Sequence, residues 1–291
     1  MSTASSPEST GVVDCLGNDG YAANFGLQWN EFQLTQFDSY SGLSISRDRL
    51  VEGTQWGDIA GLKVLEAGCG AGRFTEVLLS LGAEVTAVDM SSAVFANYRN
   101  NYQKGPARFY RASILDLPFE PNSFDRVICY GVLQHIPEPE SAFRSLWRMV
   151  KPGGKLAIDW YRFTPYPTPS TTKYLWRPLT TRMNPETLLR FVRWYVPRWL
   201  PVDTFIRKLP AGKLLKALTF VPCANYYDLD LPEDAKVSWA ILDTFDSLGA
   251  RYDKPRSRKG MLSLLDGLEG VDAWDLRKGP NGWVMNFSKA S

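Results

Sequence analysis

A chain of 291 residues with 44% hydrophobic and 22% charged side chains can bury a full core and has the balance of an ordinary globular protein. Its net charge of +2 points to no polyanionic partner by itself, and no apolar run reaches the ~18 residues of a membrane span. Four cysteines without a C-x-x-C pair and a single histidine argue against a disulfide framework or a structural zinc site, and point to a reducing, cytoplasmic setting.

Residues 1–20 are polar and read as a disordered tail, and the first ten lack the basic region and apolar core of a secretory signal. Residues 21–61 read as an N-terminal helical flap, with Phe25, Trp29 and Phe32 at helical spacing. Such a stripe either packs on the core or lies over a bound ligand.

At Leu62 the pattern changes. Leu62 to Leu65 reads as a buried strand that ends in Glu66, and Gly68, Gly70 and Gly72 follow. Arg73 to Leu81 reads as a helix with Phe74, Val77 and Leu78 on one face. A strand, a glycine turn and a helix form the first half of a nucleotide-binding βαβ unit. Side chains at the glycines would hold a ligand off the backbone, and the new helix offers unpaired N–H groups. A second strand, Glu84 to Val88, ends in Asp89, 21 residues past Gly68. A carboxylate there is placed to take both hydroxyls of a ribose, so the pair of strands reads as an adenosine site.

Ser91 opens a helix to about Gln103. Arg108 to Ile114 and Arg126 to Tyr130 read as the third and fourth strands, Ser141 to Val150 as a helix, and Lys155 to Trp160 as the fifth strand. This alternation predicts a doubly wound α/β sheet. Val271 to Lys278 and Trp283 to Ser288, joined by Gly279-Pro-Asn-Gly282, read as a hairpin.

About 100 residues separate the fifth strand from that hairpin, too many for one crossover helix. Residues 163–235 are therefore read as a helical cap insertion, and residues 62–162 with 236–291 as the core. Phe163-Thr-Pro-Tyr-Pro-Thr-Pro-Ser170 reads as a stiff linker. Asn184-Pro185 starts a helix with Leu188, Leu189, Val192, Tyr195 and Val196 on its apolar face. From Thr171 to Phe220, ten Lys/Arg stand against Glu186 and Asp203. That stretch is a solvated cationic face with a core side, a substrate lid, or a membrane-surface patch. The fifth strand ends on the ligand side of the sheet, so the insertion should cap that edge and bury Leu188, Val192 and Val196. Trp239 to Phe245 and Lys259 to Leu268 supply further helices.

The glycine run is Glu66-x-Gly68-x-Gly70-x-Gly72, not the dinucleotide Gly-x-Gly-x-x-Gly. Asp116-Leu-Pro-Phe119 with Asn122-Ser-Phe-Asp125, Gly131-Val-Leu-Gln-His-Ile-Pro137 and Lys151-Pro-Gly-Gly154 follow in order. Over residues 62–159 the chain resembles the class I S-adenosylmethionine-dependent methyltransferases. Phe25-Gly-x-x-Trp29 also resembles a subset associated with bacterial surface-sugar gene clusters. The resemblance implies a Rossmann-like, seven-stranded sheet with a C-terminal antiparallel hairpin, and S-adenosyl-L-methionine as cofactor. It places Glu66 and the Gly68, Gly70 and Gly72 loop at the methionine end, with Arg73 on its carboxylate. Asp89 takes the ribose, Met90 packs on adenine, Ser113 and Ile114 lie beneath it, and Cys129 and Tyr130 stand beside the methyl group. Many members carry an acid at the Ser113 position, and serine is a departure. Cys129-Tyr-Gly-Val132 lacks the Asn/Asp-Pro-Pro-Tyr of amino-methylating DNA enzymes and the acids of metal-dependent catechol-type enzymes. Neither that nucleobase chemistry nor a bound metal is expected.

The expected function is methyl transfer to an oxygen or nitrogen of a small-molecule acceptor, such as a sugar or glycolipid precursor. The basic insertion suggests an anionic or lipid-linked acceptor and peripheral membrane contact. The alternatives are an NAD-dependent oxidoreductase and an RNA-modifying methyltransferase that uses the insertion; nucleic acid is not otherwise expected as a partner. In-line transfer needs alignment and water exclusion more than catalytic side chains, although an oxygen or nitrogen acceptor can need a base. His135 either caps the turn before Pro137 or is that base. Asp243 and Asp246 either hold the acceptor or face solvent.

Overall fold

The computed structural model describes residues 11–16, 20–165, 168 and 170–291. Most of the expected tail (1–10 and 17–19) and three linker positions (166, 167 and 169) lie outside the described residues. The chain runs β1 (Val12–Asp14), α1 (Ala23–Glu31), α2 (Asp38–Ser41), α3 (Ile45–Thr54), β2 (Lys63–Ala67), α4 (Arg73–Ser80), β3 (Glu84–Asp89), α5 (Ala93–Asn101), β4 (Ala107–Arg111) and β5 (Phe124–Cys129). It continues through α6 (Pro139–Met149), β6 (Val150–Tyr161), α7 (Lys173–Thr180), α8 (Pro185–Lys208), α9 (Gly212–Leu218), α10 (Glu233–Gly249), α11 (Arg258–Leu262), β7 (Val271–Gly279) and β8 (Gly282–Lys289).

The strands form one sheet in the order β1-β4-β3-β2-β5-β6-β8-β7. The first six are parallel, and β8 lies antiparallel between β6 and β7. From β2 the chain moves one way to β3 and later the other way to β5. That switch point opens a crevice beyond the carboxyl ends of the strands, where open α/β sheets bind ligands. Val64, Leu65, Val127, Ile128, Leu156 and Ile158 are essentially inaccessible, as strands covered by helices on both faces require.

Two expectations are corrected here. The sheet has eight strands, not seven, because Val12–Asp14 pairs parallel with β4. Asp14 meets Arg111 at 2.9 Å, and Cys15 N–H donates to the Arg111 carbonyl at 2.9 Å, so this part of the expected tail is ordered. Three residues are too few for an alternation to show. The second correction concerns α10. It was read with the core, but its Trp239, Leu242 and Phe245 pack in one cluster with Leu188, Val192 and Val196 of α8. Periodicity identifies an apolar face and not the partner it meets.

Residues 163–235 hold the helices α7, α8 and α9, and Leu188, Val192 and Val196 are fully buried. Asn184 Oδ1 accepts from the N–H groups of Glu186 (2.9 Å) and Thr187 (3.3 Å), and Pro185 occupies the first turn. Four of the ten cations are structural. Arg177 donates to the Ser247 and Ala250 carbonyls at 3.0 and 2.7 Å, closing the last turn of α10. Lys173 pairs with Asp253 at 2.5 Å. Lys216 and Asp203 form a fully buried ion pair, which Arg207 and Asn225 complete from 2.5 and 2.8 Å. Among the described residues, no helix is long and apolar enough to cross a membrane.

Candidate active site

The turn after β2 needs its glycines for two different reasons. Gly68, Gly70 and Gly72 have φ of +79°, +53° and +98°, a region that side chains disfavour. A Cβ at Gly70 would lie 3.2 Å from Trp29 Nε1, and one at Gly68 would run into Val132. These two let the loop lie close under α1 and the segment after β5. A Cβ at Gly72 would collide with Asn97 and Asn101, so the third glycine serves helix packing. Gly70 N–H donates to Asp89 Oδ2 at 2.8 Å, and Ser91 donates to Oδ1 through its N–H (2.8 Å) and hydroxyl (2.7 Å). Asp89 thus fastens the glycine loop to the tip of β3.

Under the loop runs a buried polar relay. Thr75 Oγ1 donates to Glu66, Asn97 Nδ2 to Thr75 Oγ1 (2.8 Å), and Asn101 Nδ2 to Asn97 Oδ1 (2.8 Å) and the Gly72 carbonyl (3.0 Å). Burial pushes the Glu66 carboxyl up to about 8, against the hydrogen bond from Thr75, and its Oε1 has no partner among the described residues. Gly68, Gly70, Gly72, Arg73, Asp89, Met90, Ile114 and Tyr130 line one cavity of about 2080 Å³. Glu66, Ser113 and Cys129 are absent from its lining. Glu66 is held beneath the loop by Thr75. Ser113 Oγ accepts from Leu115 N–H at 3.2 Å in a tight turn. Cys129 is fully buried, and burial holds its thiol well above the usual range.

His135, Asp243 and Asp246 line the same cavity from the other side. His135 closes a short 3₁₀ turn, but its ring does not cap that turn. Nδ1 lies 2.8 Å from the Tyr252 carbonyl oxygen. A carbonyl only accepts, so Nδ1 carries the proton, and Nε2 is left as a lone pair in the neutral ring. Nε2 is buried and has no partner among the described residues. Phe25 and Tyr161 hold the ring, with centroids 5.2 and 5.3 Å away.

Asp243 and Asp246 sit on α10, are partly exposed and line the cavity. Tyr226 donates to Asp243, and Gln36 Nε2 donates to its Oδ1 at 3.1 Å. Gln36 in turn accepts from Arg73. A chain of four side chains thus crosses from the glycine loop to the cap. Burial pushes Asp243 up to about 6, with the Tyr226 hydrogen bond opposing, and it lowers Arg73 to about 10. Asp246 is likewise raised by burial, with His135 and Lys173 opposing. The base of this wall is an ion pair of Arg49 with Asp159, whose other oxygen accepts from Gly131 N–H.

Gln36, Arg49, Asp159 and Tyr226 were not foreseen. Only Asp159 carries a local signal, a lone acid near the carboxyl end of a buried strand. The others reach the site from loops and helices that periodicity does not place.

The lining fits S-adenosylmethionine. The glycine loop lines the cavity with positive-φ backbone, an acid stands at the tip of β3, and Met90, Ile114 and the half-buried Arg73 cation share the lining. Residues 65–158 match a family described as a methyltransferase domain. A relative from Pseudomonas putida, named ubiquinone biosynthesis O-methyltransferase, is 40% identical over 203 residues, 63% of this chain and 78% of the relative. A protein of the same name from Xanthomonas euvesicatoria is 39% identical over 111 residues, 37% of this chain and 46% of that protein. The matches to that protein and to proteins of the same name from Xanthomonas oryzae and Pseudomonas aeruginosa span about half of their length. A SAM-dependent methyltransferase structure from Aquifex aeolicus aligns with TM-score 0.45 and 15% identity, covering 89% of this chain and 92% of that one. The match to the Pseudomonas putida protein replaces the NAD-dependent alternative: the chain belongs to the class I S-adenosylmethionine-dependent methyltransferases.

Proposed function

We propose that this protein methylates a hydroxyl oxygen of a small-molecule acceptor, with S-adenosylmethionine as donor. The observation that carries the reading is His135. Its Nδ1–H is fixed on the Tyr252 carbonyl, its Nε2 is buried without a partner among the described residues, and the residue lines the cavity that also holds the glycine loop. The cofactor supplies a methyl group made electrophilic by its sulfonium. The Gly68 and Gly70 backbone admits its close approach, Arg73 is set for its carboxylate, Asp89 for the ribose, and Met90 with Ile114 for the adenine. His135 Nε2 takes the acceptor's hydroxyl proton as the bond to carbon forms. Asp243 and Asp246 hold neighbouring hydroxyls, and α1 with the cap keeps water out.

Oxygen as the methylated atom is supported by the names of the relatives. A sugar or glycolipid precursor suits a wall of two carboxylates, one of them held by the Tyr226 phenol. The exposed cations of α8 favour an anionic or lipid-linked acceptor and a peripheral membrane contact. Residues 21–61 then act as a flap over the cofactor, and residues 163–235 with α10 as the acceptor cap. Four free cysteines fit the cytoplasm. The test is incubation of cell extract with methyl-labelled cofactor, followed by identification of the product. Label in a small methyl ether supports the reading. Label only in RNA or protein, or no S-adenosylhomocysteine binding at millimolar ligand, sinks it.

A further inference from the structure

The outer face of the cap is apolar where a solvated face would be polar. Among the described residues, 19 large hydrophobic side chains are exposed, and 11 of them lie between Tyr174 and Phe220. Isolated exposed apolar residues are unremarked in any protein, but a contiguous group marks an interaction surface. Part of this group is contiguous. Trp176 Nε1 donates to the Phe220 carbonyl at 2.7 Å, and its ring stacks on Phe191 (6.2 Å), which stacks on Trp194 (6.3 Å). Leu175 and Leu179 flank Trp176 on α7. Phe205, 65% exposed, continues the face along α8, and Leu214 and Leu218 extend it on the adjoining α9.

The charges in this face are mostly of one sign. Arg190, Arg198, Lys208 and Lys213 are exposed among the apolar side chains, and Arg198 lies over the Trp194 ring at 5.3 Å. Among the described residues from 171 to 220, Glu186 is the one exposed acid, since Asp203 is buried with Lys216. A second copy of the chain would bring like charges together across a two-fold axis. A bilayer with anionic headgroups answers both features, with acyl chains for the apolar side chains and headgroups for the cations. The face also adjoins the catalytic cavity. Phe163, Tyr174 and Leu175 are exposed at the surface and line the cavity as well.

We propose that the outer face of α7, α8 and α9 docks on an anionic phospholipid bilayer, and that an amphiphilic acceptor enters the cavity from it past Phe163, Tyr174 and Leu175. The docking stands alone, and the entry route rests on the methyl-transfer reading. The full chain is sedimented with phosphatidylglycerol–phosphatidylcholine vesicles and with pure phosphatidylcholine vesicles, at low and high salt. Two triple variants accompany it, Leu179→Glu/Phe205→Glu/Leu214→Glu and Arg198→Glu/Lys208→Glu/Lys213→Glu. All six side chains are exposed, and thermal melts with S-adenosylhomocysteine calorimetry check that each variant keeps its fold and cofactor site. The wild type should bind the anionic vesicles and leave them at high salt, and each variant should partition at least about ten-fold less. Absent binding at low salt, equal binding to neutral vesicles, or undiminished binding by the variants overturns the docking. So does a wild-type dimer in sedimentation velocity that the apolar variant dissolves. Vesicle binding without S-adenosylhomocysteine binding keeps the docking and overturns the entry route.

Discussion

The two walls of the catalytic cavity are built differently. On the cofactor wall the polar contacts join neighbours in the sequence, with Gly70 and Asp89 separated by 19 positions and Thr75 and Asn97 by 22. On the opposite wall several span the chain, 110 positions from Arg49 to Asp159, 117 from His135 to Tyr252 and 207 from Gln36 to Asp243, beside shorter ones such as the 17 from Tyr226 to Asp243. A local wall is completed as one βαβ unit forms. The long-range wall needs the flap, the cap and the segment after α10 all docked. Insertions can therefore change the acceptor while the cofactor site stays, which is how one fold serves many reactions.

The largest expected effect tests whether the walls are separable. His135→Gln should lower kcat by about 10²–10⁴-fold, the range of a lost general base, and leave S-adenosylhomocysteine affinity within about two-fold. Calorimetry and initial rates on the same preparation decide it. A kcat near wild type would return His135 to a purely structural role.

Glu66 tests the cofactor wall from below. Burial raises its carboxyl from the usual 4.5 to about 8, so the folded protein holds this proton more tightly than the unfolded chain does. Its contribution to stability is therefore full below 4.5 and is lost as pH rises to about 8. Glu66→Gln mimics the protonated acid and lacks that loss. Between about pH 5 and 8 the wild type should lose up to about 3 kcal/mol relative to the variant, read from melting temperatures. Parallel curves would refute the assignment. A large loss of cofactor affinity in the variant would put Glu66 back at the methionine end.

The same asymmetry explains what could be read from the sequence. The strand–glycine–helix unit, Asp89 and the terminal hairpin were legible, because each is a short pattern whose partners lie nearby. The Asn184 cap and the buried face of α8 were legible for the same reason. Val12–Asp14 was missed because three residues carry no periodicity, and α10 was misassigned because a helix face does not name its partner. The ten cations looked alike in sequence. Only packing separates Lys216, sealed against Asp203, from Arg198 at the surface. Glu66 was placed by its motif, whereas Thr75, nine positions on, decides where its carboxyl goes.

A smaller effect compares two residues assigned to the cofactor. Asp89→Ala removes charge-assisted bonds, including the one that holds Gly70, and should weaken S-adenosylhomocysteine binding by roughly 10–100-fold. Ser113→Ala, at a residue outside the cavity lining, should stay within about two-fold. Equal losses in parallel titrations would show that the ribose is not held by Asp89.

The smallest effect probes a chain of side chains that links the walls, Arg73–Gln36–Asp243–Tyr226. Burial raises Asp243 to about 6, and the Tyr226 hydrogen bond is the strongest influence holding it down. Tyr226→Phe removes that donor and should move the carboxyl up by roughly one pH unit. An ionised Asp243 grips the acceptor above its folded pKa and releases it as pH falls through that value. The acceptor KM of the variant should therefore equal the wild type's at about pH 9 and begin to climb roughly one unit earlier on acidification. S-adenosylhomocysteine affinity should stay level throughout. A KM raised equally at every pH would mean that Tyr226 touches the acceptor itself. Lost cofactor affinity would mean that the change travels through Gln36 to Arg73, and the two walls would then have to be treated as one site.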